Sequence, residues 1–289
     1  MNKEDIINYY NDCKKDYRLI WRLEKVWGLH YGYFEKGDKS LSQAILKMND
    51  QIIKNTNINE KTKILDAGCG YAGTAMYIAE KKKCHIEAIT IVDEQVNTAK
   101  KVIKEKGLDK YINVSNQDFT KTTFKDNTFD VVYGIESICY AFPKEGFLKE
   151  AFRVLKPNGI LIILDGYNSK EKEEYSAKEK RIMKKFANGW SFDSLESPKY
   201  FINKSKKIGF IKQEYKNITD KALKTSKILY IASFPAYVVD FVGRVFKRRT
   251  KYGKGNVDSA RNQYIGLKKG LWQYGMFKAV KGEQKGKNN

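Results

Sequence analysis

Residues 61–165 alternate between short β-branched runs and longer stretches of helical period, and this alternation limits what the chain can fold into more than any other feature. KILDA (63–67), IEAITI (86–91), YINVSN (111–116), FDVVYGI (129–135) and ILIILD (160–165) read as strands. YAGTAMYIAEKK (71–82), DEQVNTAKKVIKEKG (93–107) and KEGFLKEAFRVL (144–155) read as helices, and Lys156-Pro157-Asn158-Gly159 as a turn. The strands are almost uniformly apolar, which requires burial on both faces. The pattern predicts an α/β fold: a Rossmann-like, mostly parallel sheet with helices on both sides.

The flanking segments extend this plan. Ile6, Ile7, Tyr10, Tyr17, Ile20, Trp21 and Leu23 recur at helical spacing in residues 3–27, and Gly28 and Gly32 break the segment. Residues 40–54 form a second expected helix, with Ser40 placed to cap it. Residues 1–60 thus read as an N-terminal helical cap. Beyond 165 the chain predicts a charged helix over 170–187, a helix then a strand over 197–210 with Gly209 at the junction, an apolar helix over 221–248, a short helix over 258–269 and a closing strand over 271–281. The core then spans 61–281 and its sheet has seven strands. Helical insertions at about 167–200 and 220–270 follow strands five and six, and 282–289 is expected to be a flexible basic tail.

Charge and composition narrow the setting. The 289 residues carry a formal charge of +21, with 13 basic and two acidic side chains in residues 244–289, so the excess is concentrated near the end. Cys13, Cys69, Cys84 and Cys139 show no CxxC spacing and there are only two histidines, which gives no zinc ligand set; no metal is expected. The first residues lack a signal-type apolar stretch, and the longest apolar segment, Ile228–Val245, is interrupted by Ser233, Pro235, Asp240, Gly243 and Arg244. The expectation is a cytoplasmic protein that touches a membrane, if at all, at its surface.

Asp66-Ala67-Gly68-Cys69-Gly70-Tyr71-Ala72-Gly73 follows the first strand and opens a helix. Its glycines permit a tight turn and a close backbone approach, and the helix start adds N–H donors. Two ligands suit such a turn. A dinucleotide would place its pyrophosphate there, with Asp93 at the spacing of a ribose-binding acid. S-adenosylmethionine would instead need an acceptor for its positive charge, and a carboxylate at Asp66 favours that cation over a pyrophosphate. A glycine turn with no ligand is the plain alternative.

ILDAGCGYAGTA, IEAITIVDEQVNTAK, NQDF, FDVVYGIESICYAF and LKPNGILIILD resemble, in order and spacing, the motifs of class I S-adenosylmethionine-dependent methyltransferases. HYGYF (30–34) adds to the likeness, which covers about residues 20–281. Within the superfamily the chain is most similar to the sterol, tocopherol and small-molecule methyltransferases that neighbour the cyclopropane synthases. The resemblance implies that Asp66, Ala67, Gly68, Cys69 and Gly70 cradle the methionine end of S-adenosylmethionine. Gly73 is assigned to helix–strand packing. It implies Thr90 and Gln95 at the ribose and Ile91 at the adenine. Asp93 is the runner-up for the ribose, with helix capping as its plain role. Asp118 is expected at the adenine amino group, with Phe119 packing on the ring, Ile135 facing the cofactor and Tyr33 closing over the methionine end. Turn formation is the ordinary role for Asp118, and aromatic packing for Tyr33.

Glu136 follows the fourth strand, beside the first strand at the topological switch point, and is the main expected acceptor-side group. Binding the cofactor's ammonium is its alternative role. His30 and Tyr140 are weaker candidates for a base or an orienting group, and His85 is expected to be inert. The resemblance places the acceptor-binding elements in the cap and the two insertions. The acceptor is expected to be a small, largely apolar molecule, an isoprenoid, phenolic or other specialised metabolite. SKILYIASFPAYVVDFVGRVFKRR, apolar with a basic end, is expected to cover it or to lean on anionic lipid; an ordinary packed lid helix is the alternative. RNA methylation or nucleic-acid binding, a non-catalytic cofactor-binding scaffold and an NAD-dependent oxidoreductase are the rival readings, the first drawn from the basic charge.

Overall fold

The computed structural model describes residues 2–21, 23–246 and 250–283. Its centre is a seven-stranded sheet in the order β3-β2-β1-β4-β5-β7-β6. The strands are β1 (Lys63–Ala67), β2 (His85–Thr90), β3 (Ile112–Asn116), β4 (Phe129–Ile135), β5 (Leu155–Asn168), β6 (Phe210–Asn217) and β7 (Trp272–Lys281). The β1–β2, β2–β3, β1–β4 and β4–β5 pairs are parallel, and the order reverses between β1 and β4. The fold class expected from the alternation is the one observed. Burial on both faces explains the composition: Ile64, Leu65, Val131, Val132 and Leu161 through Leu164 are all 3% exposed or less.

The helices are α1 (Lys3–Ile20), α2 (Leu23–Val26), α3 (Leu41–Lys54), α4 (Gly73–Lys82), α5 (Asp93–Glu105), α6 (Lys144–Val154), α7 (Ala177–Gly189), α8 (Pro198–Ile208), α9 (Thr219–Val245) and α10 (Lys251–Lys268). Ser40 Oγ accepts the Gln43 amide at 3.2 Å and starts α3 as its side chain predicts. Gly209 separates α8 from β6 with φ +119°.

Four local expectations differ from the structure. The 156–159 turn is a bulge within β5, where the register jumps from Phe129↔Leu155 to Val131↔Ile160 and Asn158 takes φ +63°. The helix expected over 170–187 begins only at Ala177, because Ser176 caps it and a separate short turn occupies Lys172–Glu174. The helix expected over 258–269 begins at Lys251, despite Gly253 and Gly255. A Cβ added at Gly189 of α7 would lie 2.2 Å from the Gly255 oxygen, so the glycines let these two helices touch. Asp93 is the first residue of α5 and does not cap it; Val92 holds the cap position, and the Asp93 carboxylate accepts the Asn116 amide at 2.6 Å.

The chain divides into two compact units. One comprises the segments up to Met48, Gly166–Ser197 and Asn217–Tyr274; the other comprises Asn49–Asp165, Pro198–Lys216 and the segment from Gly275. In the first, α10 packs against α1, α7 and α9. Tyr9, Trp21, Tyr31 and Trp272 fill its core, and Trp272 Nε1 donates to the Gln263 carbonyl at 2.8 Å. The second holds β1 through β4 and the glycine turn. The tail over 282–289 falls outside the described residues from 284 onward.

Candidate active site

The glycine turn is built by two glycines with different tasks. Gly68 has φ +89°, and a Cβ there would lie 2.4 Å from the Ser137 Cβ, so its bare backbone is a packing requirement. Gly70 has φ +54°, and a Cβ there would meet nothing within 4 Å. The open backbone therefore lies at Gly70. The Gly68 and Cys69 amides both donate to the Ile89 carbonyl at 2.9 Å, which ties the turn to the end of β2. Helix α4 follows with Ala72 in its cap position at φ +60°, and its methyl side chain provides no capping bond.

Asp66 stands opposite Tyr133 in the β1–β4 register. The Tyr133 hydroxyl donates to Asp66 Oδ2 at 2.7 Å. Asp66 is 3% exposed, and burial raises its pKa to about 7 although the tyrosine bond pulls it down. Burial, helped by the Asp66 charge, also pushes the Cys69 thiol well up, so Cys69 is a poor nucleophile. Tyr133 was not among the residues expected from sequence. Its signal was the register, which no single segment displays.

Thr90 and Gln95 are buried and bonded to each other, Thr90 Oγ1 donating to Gln95 Oε1 at 2.8 Å. Ile91 is partly exposed beside them. Asp118 Oδ1 accepts both the Thr120 amide at 2.8 Å and its hydroxyl at 2.7 Å, the geometry of an Asx turn. The Phe119 ring lies edge-on to Phe147 and 3.5 Å from where a Gly68 Cβ would stand, so Phe119 borders the glycine turn. Ile135 ends β4 at 9% exposure, and Ala67 ends β1 fully buried.

The loop after β4 is fastened at every step. Glu136 takes φ +51°, a left-handed conformation unusual for a side chain of its size, and its amide donates to the Leu164 carbonyl at 2.8 Å. Ser137 Oγ donates to the Ala67 carbonyl at 2.5 Å. Asp165, at 5% exposure, accepts the Cys139 amide at 2.9 Å. Lys144, at 4% exposure, donates to the Cys139 and Ala141 carbonyls at 2.6 and 2.7 Å. Ser137, Lys144 and Asp165 hold Glu136 and the half-buried Tyr140 in place, and none of the three was expected as a site residue.

His30 and Tyr33 belong to the other compact unit. His30 is 4% exposed and its Nδ1 lies 2.9 Å from the Tyr31 carbonyl. A carbonyl only accepts, so Nδ1 carries a proton and donates it there. The Tyr33 amide donates to the Ala44 carbonyl at 2.8 Å, and its ring is 9% exposed, with the Lys221 ammonium 6.0 Å from its centre. His85 is exposed at the start of β2.

Residues 65–163, which contain the turn and the loop after β4, match the family described as a methyltransferase domain. The chain belongs to the class I S-adenosylmethionine-dependent methyltransferases. Among similar members of this class is a 24-methylenesterol C-methyltransferase of Arabidopsis thaliana, 33% identical over 199 residues, which covers 67% of this chain and 55% of the relative. A glycine/sarcosine/dimethylglycine N-methyltransferase of Actinopolyspora halophila is 25% identical over 259 residues, covering 88% of this chain and 44% of the relative. A cyclopropane synthase from Mycobacterium tuberculosis shares the fold with a TM-score of 0.82 over 96% of this chain and 98% of its own, at 15% identity. The chain spans about half the length of the curated relatives it matches. Methyltransferases of this class use S-adenosylmethionine. The site's residues fit that cofactor: Gly70 leaves open space where a side chain would intrude, and a buried carboxyl whose ionisation is suppressed stands two residues before the first glycine.

Proposed function

We propose that this chain transfers a methyl group from S-adenosylmethionine to a small, largely apolar acceptor, an isoprenoid, phenolic or other specialised metabolite. The observation that carries the reading is that Asp66 and Glu136 stand at the C-terminal ends of β1 and β4, adjacent strands that flank the point where the strand order reverses.

The donor, when bound, supplies an electrophilic methyl group on a positively charged sulfonium. Asp66, Ala67, Gly68, Cys69 and Gly70 would hold its methionine end, with Tyr33 over it. Thr90, Ile91, Gln95, Asp118, Phe119 and Ile135 would hold its nucleoside. Ionised Asp66 balances positive charge in a setting where burial makes a carboxylate costly. Glu136 accepts a proton from the acceptor, or faces positive charge that develops on it, from a backbone that the neighbouring bonds keep still. The His30 imidazole and the Tyr140 hydroxyl are the secondary proton-handling groups. Methyl transfer needs in-line alignment more than activation, which suits a rigid loop.

Acceptor recognition is assigned to the N-terminal cap (1–60) and the insertions at about 167–200 and 220–270. The proposed setting is the cytoplasm, which four free cysteines fit. Peripheral contact with an anionic membrane through the basic C-terminal region completes the reading.

The deciding experiment is methyl transfer from labelled donor to isoprenoid, phenolic, amine and fatty-acyl acceptors. A labelled product that disappears with Glu136→Gln, while donor affinity changes little, supports the proposal. Equal loss of both makes Glu136 a cofactor ligand.

A further inference from the structure

Helix α9 is ordinary in its first half and reversed in its second. Near the start, Ala222, Thr225, Ser226 and Leu229 point inward, and Lys224 and Lys227 outward. Farther along, Ser233 and Asp240 are the buried residues, at 2% and 0% exposure. Ile231, Phe234, Val238, Phe241, Val242 and Val245 are between 47% and 64% exposed. At about 100° per residue, these side chains, with Val239 and Phe246, fill an outward arc of roughly 160°, and Ser233 and Asp240 lie opposite its centre. Among the described residues this stretch holds most of the large apolar side chains left exposed; Leu19, Phe142 and Ile211 are the others. So concentrated an apolar patch marks a surface that meets an apolar phase or a partner.

The charges beside the patch decide what it meets. From Phe241 to Val257 the sequence holds Arg244, Lys247, Arg248, Arg249, Lys251 and Lys254 and no acidic residue. Residues 247–249 lie outside the described residues and enter only as sequence. An apolar stripe beside a run of cations complements an anionic headgroup layer over hydrocarbon, whereas a second copy would bring like charges together. No helix among the described residues is long and apolar enough to cross a membrane, so the stripe would lie in the interface.

We infer that the second half of α9, from Ile231 to Phe246, is a membrane-docking face that inserts its apolar side chains into an anionic bilayer surface. This rests on the peripheral contact proposed above and moves its main anchor from the basic charge of the C-terminal region to a helix face; it does not depend on the donor chemistry.

Flotation of the full chain with vesicles tests it. Wild-type protein should float with vesicles of phosphatidylcholine mixed with phosphatidylglycerol and far less with phosphatidylcholine alone. The triple variant Val238→Asp, Val242→Asp, Val245→Asp should lose roughly tenfold or more of this partitioning, because it places three charges where the bilayer is apolar. The triple variant Lys247→Gln, Arg248→Gln, Arg249→Gln should lose the preference for the anionic lipid. All these positions are exposed or outside the described residues, and circular dichroism checks that each variant folds. Absent flotation of the wild type, or unchanged flotation of the aspartate variant, overturns the inference. So does a dimer in solution that only the aspartate variant breaks. Calorimetric donor binding on the same samples separates the two readings: intact binding without flotation removes the docking face and leaves methyl transfer standing.

Discussion

A carboxyl group that is 3% exposed and bonded to one tyrosine holds its proton up to about pH 7. Unfolded, Asp66 ionises near 3.8, so between about pH 4 and 7 the folded state binds an extra proton and stability falls as pH rises through that window. Asp66→Asn should flatten the pH dependence of Tm over this range, as thermal melts in a series of buffers would show. A positively charged donor favours the carboxylate, so its affinity should rise with pH toward and past 7, with proton release on binding that Asp66→Asn abolishes. Calorimetry in buffers of different ionisation enthalpy measures that proton directly. Glu136 poses the opposite problem, strain instead of desolvation. Glu136→Gly should relieve the left-handed backbone, raising stability by up to about 1 kcal/mol in denaturant unfolding while turnover collapses. Asp66 and Glu136 stand out in the sequence because motif and strand end coincide. Tyr133 does not, since its bond to Asp66 depends on how two distant strands align, and the φ of Glu136 leaves no mark on residue identity.

At the scale of elements, the glycine turn separates folding from binding. Gly68→Ala drives a methyl group into Ser137 at an unfavourable φ and should cost several kcal/mol, on the order of 3. Gly70→Ala meets open space and should cost only about 1 kcal/mol, yet weaken donor binding by intruding where the backbone must be approached. Urea unfolding and donor titration on both variants check the split. The loop after β4 makes a similar point through Lys144, whose ammonium satisfies two carbonyls. Lys144→Met should destabilise by about 3 kcal/mol and lower kcat more than it raises the KM for donor, because Glu136 and Tyr140 lose their support. The strands of the core were readable because fully buried parallel strands leave continuous apolar runs. The early start of α10 was not, because a glycine such as Gly255 disfavours a helix, and only the close approach of Gly189 in α7 accounts for it. The late start of α7 was hidden in a charged stretch whose Ser176 cap outweighs helical propensity.

Along the whole sequence, the charge excess and the candidate site lie apart: the glycine turn and the loop after β4 fall within residues 66–144, and about half of the basic surplus falls from 244 onward. Deleting residues 284–289 should leave Tm within about 1 °C, since the last strand is fastened before them. Lys281, 2% exposed, donates to Asn127 Oδ1 and the Leu155 carbonyl at 2.8 and 2.7 Å, and Lys281→Met should lower stability by about 2 kcal/mol in the same melts. The strand order carries a temporal consequence as well. Because β7 lies between β5 and β6, a nascent chain emerging from the ribosome presents the bare edge of β5 until residues 272–281 have been synthesised. Synthesis through residue 281 must precede closure of the sheet, and a chaperone that shields strand edges has its natural client in that interval.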